Sequence, residues 1–275
     1  MAKRLISSAV GIAIGISVLF FADTILLNIV IAILAVIGTI ELLKVAGCLE
    51  FKGITATAVV YSAVSQFLIK GVIFSRSYFD MASAAAVIIM FSFYLSVHKK
   101  MSIEKLYYAI ATTFFLNYSL SRIYLTYQLS EVHGVIYIVL ILCGAWIADS
   151  GAYFTGTFCG KHKLCPEISP KKTIEGFIGG VITNGIFMIV FNLVYIKFFA
   201  EGCSVNYISS FFLGLICALI GTVGDLSASL IKRHYNVKDF GKLMPGHGGF
   251  MDRFDSVLFV APFMYAFLRL FNIYI

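Results

Sequence analysis

Residues 224–255 read GDLSASLIKRHYNVKDFGKLMPGHGGFMDRFD, and the surroundings of this polar stretch decide the fold. It begins inside one apolar segment, where Asp225 follows FFLGLICALIGTVG, and it ends in another, VLFVAPFMYAFLRLF. Between the two lie Lys232, Arg233, Lys238, Lys242 and Arg253, the acids Asp239, Asp252 and Asp255, and a glycine-flanked His247 in Pro245-Gly-His-Gly-Gly249. Charged groups at the edge of a membrane are costly and mark function.

The flanking hydrophobicity extends through the whole chain. Of 275 residues 60% are hydrophobic and 13% charged, against about 25% charged in a soluble domain. An integral membrane protein follows. Candidate spans of roughly 20 apolar residues lie near 1–22, 24–46, 54–74, 79–97, 106–126, 134–157, 174–199, 207–231 and 255–273. The expected fold is therefore an all-α polytopic bundle of about nine helices, since each span must satisfy its own backbone. Alternation of period two, the mark of a membrane barrel, is not the dominant pattern. Met1-Ala-Lys-Arg4 and the apolar run to Ala22 look like a secretory leader. The run is longer than the apolar region of such a leader, about 7–15 residues, and no small-x-small site follows it, so it reads as the first span.

Lysine and arginine placement sets the orientation. With the N-terminus in the cytoplasm, the inner segments hold Lys3, Arg4, Lys52, Lys99, Lys100, Lys105, Lys161, Lys163, Lys171 and Lys172 besides the cations of the 224–255 stretch, while the outer loops hold Arg76, with Lys197 and Arg269 near outer helix ends. The net charge of +7 then belongs to short loops facing anionic lipid rather than to a nucleic-acid surface. The six cysteines suggest no disulfide framework, and Cys159, His162 and Cys165 lack the four-ligand spacing of structural zinc.

The chain divides by chemistry at about residue 126. Residues 1–126 read as a transmembrane scaffold whose few charges are Glu41, Lys44, Lys70 and Arg122. Glu41 and Lys44, three apart on a helix, are expected to pair, and Gly11 and Gly15 form a small-xxx-small motif. Residues 127–275 read as the catalytic region with cytoplasmic loops, the whole being one folding unit. There Asp149 and Tyr153 share a helical face, followed by Gly160-Lys-His-Lys163 and Ser169-Pro-Lys-Lys-Thr-Ile-Glu175-Gly176. Ser169 or Thr173 suits the cap of the next helix. Asp225, Ser229 and Lys232 form a stripe on one face, as do Asp252 and Asp255. Structural salt bridges, Asp225 to Lys232 and Asp252 or Asp255 to Arg253, are the plain alternative. They leave unexplained the glycines around His247 and the gathering of acids at one level.

Several carboxylates at one depth suit a hard cation. Magnesium is commonly held by one or two carboxylates together with substrate phosphates and water. Nearby lysines and arginines would neutralise phosphate charge, and glycines let backbone approach a bulky anion. The expected chemistry is metal-assisted reaction of a phosphate-bearing substrate at the cytoplasmic face. No G-x-x-x-x-G-K-[ST] or strand-linked G-x-G-x-x-G occurs, and no G-x-S-x-G supports a serine hydrolase.

Ser229-Leu-Ile-Lys-Arg233, Lys238-Asp239 and Pro245-Gly-His-Gly-Gly-Phe-Met-Asp-Arg-Phe-Asp255 resemble the signature of the phosphatidate cytidylyltransferase (CDP-diglyceride synthetase) family. Asp149-Ser-Gly-Ala-Tyr-Phe and Ser169-Pro-Lys-Lys-Thr-Ile-Glu-Gly176 are similar to further blocks of it. Met244 stands where the family usually has leucine or isoleucine, and Thr157 where many members have arginine. The resemblance implies a magnesium-dependent nucleotidyltransferase of phospholipid biosynthesis, making CDP-diacylglycerol and diphosphate from CTP and phosphatidic acid. A second cation is left open. It also implies a homodimer among membrane lipids. In that frame Asp225, Asp252 and Asp255 are the expected metal ligands, with Asp149 a further one. Ser229, Lys232 and Arg233 complete the catalytic set, while Lys171, Lys172, Lys238, Arg253, His247, Gly248 and Gly249 meet substrate. Glu175 and Asp239 position cations. A transporter with intramembrane carboxylates would show broken helices in both halves, yet the polar motifs fall in the second half. A lipid kinase or another CTP-dependent lipid transferase would keep the nucleotide and change the acceptor. The short N-terminus without a targeting extension favours a bacterial cytoplasmic membrane.

Overall fold

The computed structural model describes residues 11, 13–69, 76–200, 202–243, 248–271, 273 and 274. The chain forms two compact units, Met1–Tyr124 with His234–Arg253, and Leu125–Arg233 with Phe254–Ile275. The architecture is helical, and among the described residues five helices are long and apolar enough to cross a membrane.

The first unit contains α1 (13–20), α2 (Leu26–Val45), a 3-10 turn (Cys48–Glu50), α3 (Lys52–Leu68), α4 (Arg76–Val97) and most of α5 (Ile103–Tyr127). α2 stops at Gly47, whose φ of 67 is the left-handed geometry that glycine adopts without steric cost. Its N–H donates to Lys44 O at 3.0 Å. Leu43, Cys48, Ile54, Met90 and Leu106 pack into a core. Polar side chains join the helices where lipid offers no hydrogen bonds. Thr39 and Ser62 hydroxyls meet at 2.8 Å, Asn117 Nδ2 donates to Ser62 Oγ at 2.8 Å, and Gln66 Nε2 donates to Asn117 Oδ1 at 3.0 Å. Among the described residues nothing lies within 4 Å of where a side chain at Gly11 or Gly15 would stand.

The second unit contains α6 (Gly134–Cys159), β1 (Lys163–Cys165), β2 (Ser169–Thr173), α7 (Ile174–Phe199), α8 (Tyr207–His234) and the greater part of α9 (Met251–Leu270). α6 and α7 approach at backbone distance. A Cβ at Gly180 would lie 2.6 Å from Ala148 O, and one at Gly176 2.7 Å from Ala152 O. Fully buried Asn184 then ties three helices, donating from Nδ2 to Gly144 O at 3.0 Å and Gly214 O at 2.8 Å.

The all-helical expectation misses one feature, an antiparallel hairpin pairing Lys163 with Thr173 and Cys165 with Ser169. The Ser169/Thr173 alternative resolves in favour of Thr173, which caps α7 by accepting the Gly176 N–H at 3.1 Å. Thr173→Ala is expected to lower stability by about 1 kcal/mol, read as an earlier thermal transition in detergent; an unchanged transition would remove the cap from the account.

Candidate active site

In the second unit the acidic group is assembled by backbone proximity. A Cβ at Gly224 would stand 2.7 Å from Asp255 O and 3.1 Å from Ser256 Cα, so glycine there lets α8 lie directly against α9. Asp225, the next residue, thereby comes beside Asp255. Asp255 is 9% exposed, and its Oδ1 accepts the Ser256 N–H at 2.8 Å. Ser256 Oγ also donates to Asp149 Oδ2 at 3.4 Å, which brings in α6. The three carboxylates act on one another: Asp225 and Asp149 both repel Asp255, and Asp225 repels Asp149.

Two lysines offset that repulsion. Lys172 Nζ forms an ion pair with Asp225 Oδ2 and attracts Asp149. Lys232 attracts Asp255. Lys172 reaches Asp225 because it lies on a strand: alternate residues of β2 point to opposite faces, so exposed Lys171 and half-buried Lys172 are separated. The expectation had treated this lysine pair as one feature. Glu175 fixes the start of the hairpin. Its carboxylate accepts the N–H groups of Lys161 at 3.0 Å and His162 at 3.1 Å and meets His162 Nδ1 at 2.6 Å. Arg233 is exposed and its Nε donates to Ile168 O at 3.4 Å, at the hairpin turn. Ser229 is half-buried one turn beyond Asp225, and Tyr153 is 70% exposed.

The first unit holds the other polar segment. Asn236, at φ 54, turns the chain after α8. Tyr235 packs edge-on against Tyr108 with ring centroids 5.4 Å apart. Phe240 and Phe250 are buried, while Lys238, Asp239, Lys242 and Arg253 are exposed. Asp252 Oδ2 accepts two loop N–H groups, from Phe240 at 2.8 Å and Gly249 at 2.9 Å. Gly248 has φ +90, and a Cβ there would stand 2.9 Å from that same oxygen. His247, together with Met244, lies outside the described residues.

Glu41 is the residue sequence reading missed. It was expected to pair with Lys44 in a quiet scaffold. Its carboxylate instead accepts the N–H of Phe250 on Oε1 at 3.0 Å and of Met251 on Oε2 at 2.9 Å, with Lys44 adding a weaker attraction. A lone acid within an apolar helix was the available signal; nothing local named its partner.

The donor set is chemically suited to a hard cation, since it is all carboxylate oxygen. Among the described residues no three acidic, histidine or cysteine side chains converge closely enough to hold a metal by themselves. Asp149, Asp225 and Asp255 therefore fit a cation that takes further oxygens from phosphate and water, as magnesium does.

A model of the Cytidylyltransferase family matches residues 2–271. A "Phosphatidate cytidylyltransferase" of Bacillus subtilis (strain 168) is 46% identical over 142 residues, 52% of this chain and 51% of that protein. Proteins of the same name from Staphylococcus haemolyticus (strain JCSC1435) and Staphylococcus aureus (strain COL) are each 45% identical over 133 residues, 48% of either chain. The chain spans about half the length of the curated relatives it matches. With nearly its full length covered by the family model, the chain belongs to the Cytidylyltransferase family.

Proposed function

We propose that the chain is a phosphatidate cytidylyltransferase, joining CTP and phosphatidic acid into CDP-diacylglycerol with release of diphosphate. The observation that carries this reading is the grouping of Asp149, Asp225 and Asp255 with Lys172 and Lys232 in a member of this family. A phosphate oxygen of the lipid attacks the α-phosphorus of CTP. The bond from that phosphorus to the oxygen bridging toward the β-phosphorus breaks, and diphosphate leaves. The nucleophile is an ionised phosphate monoester, so no strong base is needed. The barrier is repulsion between two anions and the entropy of aligning them.

Each residue has a role in this scheme. Asp149, Asp225 and Asp255 would hold magnesium, a second cation remaining open. Bound there, magnesium supplies charge neutralisation at phosphate oxygens. Lys172 orients the Asp225 carboxylate through their ion pair and, with Lys232 and Arg233, faces phosphate, while Lys171 meets substrate from the opposite face of β2. Ser229 orients a phosphate oxygen. Asp252 holds the backbone N–H groups of Phe240 and Gly249. His247, Gly248 and Gly249 form the nucleotide loop, flanked by Lys238 and Arg253. The proposed setting is a homodimer in a bacterial cytoplasmic membrane, with about nine spans, an inner N-terminus and the site on the cytoplasmic side. The distribution of lysine and arginine supports that orientation.

The test is product formation by purified protein in detergent with labelled CTP, magnesium and phosphatidic acid. A CDP-lipid that vanishes without magnesium or without phosphatidate is the expected result. A CDP-lipid formed only with another acceptor would replace the substrate, and no nucleotide turnover with any lipid would overturn the enzyme reading.

A further inference from the structure

The stretch before α9 lacks the residue that normally starts a helix. Phe250 precedes Met251, and it has no oxygen with which to cap the first N–H groups. Two N–H groups at this start nevertheless find a side-chain acceptor. Glu41, 7% exposed on α2, takes the Phe250 N–H on one carboxylate oxygen and the Met251 N–H on the other. A carboxylate at a helix N-terminus is also favoured by the helix dipole. The cap of α9 thus comes from a residue more than two hundred positions away in sequence.

The same carboxylate explains two glycines. A Cβ at Gly249 would fall 2.5 Å from Glu41 Oε2, and one at Gly241 2.6 Å from Glu41 Cδ. Neither approach tolerates a side chain. Gly38, one turn before Glu41, makes room for the ring of fully buried Phe250, where a Cβ would lie 3.0 Å from ring carbons. Asp252 grips the loop from within by accepting the N–H groups of Phe240 and Gly249. Four backbone N–H groups, those of Phe240, Gly249, Phe250 and Met251, thus end on two carboxylates, Asp252 and Glu41.

We propose that Glu41 is a positioning residue for the nucleotide loop: through the N–H groups of Phe250 and Met251 and the cradle of Gly241 and Gly249, it sets the shape in which residues 240–243 and 248–252 meet CTP. This rests on the reading of that loop as the nucleotide-handling segment. Glu41 itself touches no substrate. Its removal acts on CTP and leaves the lipid acceptor alone, because the loop is what it holds.

The experiment uses the full chain in detergent, with Glu41→Gln, Gly249→Ala and Glu41→Ala, and the double variant Glu41→Ala/Gly249→Ala. Glu41→Gln keeps the volume but turns an N–H donor toward a backbone N–H donor. It is expected to raise the KM for CTP on the order of tenfold with the KM for phosphatidate unchanged. Tryptic nicking at exposed Lys242 should accelerate by more than any shift of the thermal transition accounts for. Gly249→Ala should show the same pattern. With the carboxylate gone the added methyl has room, so the double variant should be no worse than Glu41→Ala alone, a non-additivity diagnostic of contact. Unchanged nicking and CTP KM in Glu41→Gln would overturn the proposal. So would losses that only track the folded fraction, or effects of positions 41 and 249 that multiply. Should Glu41→Gln not fold, Glu41→Asp retracts the carboxylate by one methylene and carries the same comparison. A wild-type chain without CTP turnover would sink the functional reading instead, and the nicking and non-additivity measurements would still decide the Glu41 anchor.

Discussion

Asp225→Asn is expected to reduce CDP-lipid formation by about 10²-fold or more, with the deficit deepening as magnesium becomes limiting. Asp225 stands at the centre of the second unit's charges: it pairs with Lys172 and repels both Asp149 and Asp255. The amide retains shape and one acceptor but removes an anionic donor from a set that already needs phosphate oxygens to complete a cation's shell. A purely structural ion pair makes a different prediction. Breaking such a pair leaves one charge stranded, whereas removing both partners is often nearly neutral. If Asp225 served only to pair Lys172, then Lys172→Met would cost as much as Asp225→Asn, and the double variant would recover. We expect the double variant to be no better than Asp225→Asn. Recovery in the double variant, or full activity of Asp225→Asn at limiting magnesium, would end the assignment of Asp225 to the cation.

Gly180→Leu is expected to be strongly destabilising, at about 3 kcal/mol. Its position leaves no path for relief. The first atoms a Cβ would meet are the carbonyl oxygen of Ala148 at 2.6 Å and the Cβ of Ala152 at 2.9 Å, one of them backbone of the facing helix. Backbone does not rotate away as a side chain does, so α6 and α7 must part along their length. Parting them stretches the bond from Asn184 to Gly144 O and shifts Asp149, which α6 carries. Within lipid no hydrophobic gain offsets the lost packing, because association there rests on close contact and interhelical hydrogen bonds. Trp146, the single tryptophan of the chain, lies on α6 and packs edge-on to Phe254 at 6.0 Å, so its emission reports the change during thermal unfolding. Gly221→Ala is the comparison, since its nearest neighbours stand 3.6 Å away, an ordinary contact. Equal transitions for the two variants would refute the close-packed seam.

These contacts show which parts of the protein were legible before its structure. The long helices lie where the apolar runs place them, because hydropathy over about 20 residues is a property of the local sequence. The Thr173 cap was one of two readable options for the same reason. The family signature ran from Ser229 to Asp255, while Asp225 and the Gly224 that lets it meet Asp255 stood in the polar stretch just before it. The hairpin escaped notice since three- and five-residue strands leave too short an alternation to stand out from a basic loop. Its consequence, the separation of Lys171 from Lys172, escaped with it.

Sequence by itself determined that this chain is a helical membrane protein and to which family its polar pattern belongs. Each of these depends on composition or on spacing within a few turns. Only the tertiary structure decided which charges meet. Asp225 takes Lys172 from a strand more than fifty positions earlier, and Asp149 reaches Ser256. Glu41, in the half read as quiet, holds the start of α9. Asp252 and Asp255, three apart on one helix, serve different surroundings: loop N–H groups for the first, buried carboxylates and Lys232 for the second. The physical reason is that a buried charge or N–H group must find a partner but can find it anywhere in the fold, so its need is written locally and its answer is not.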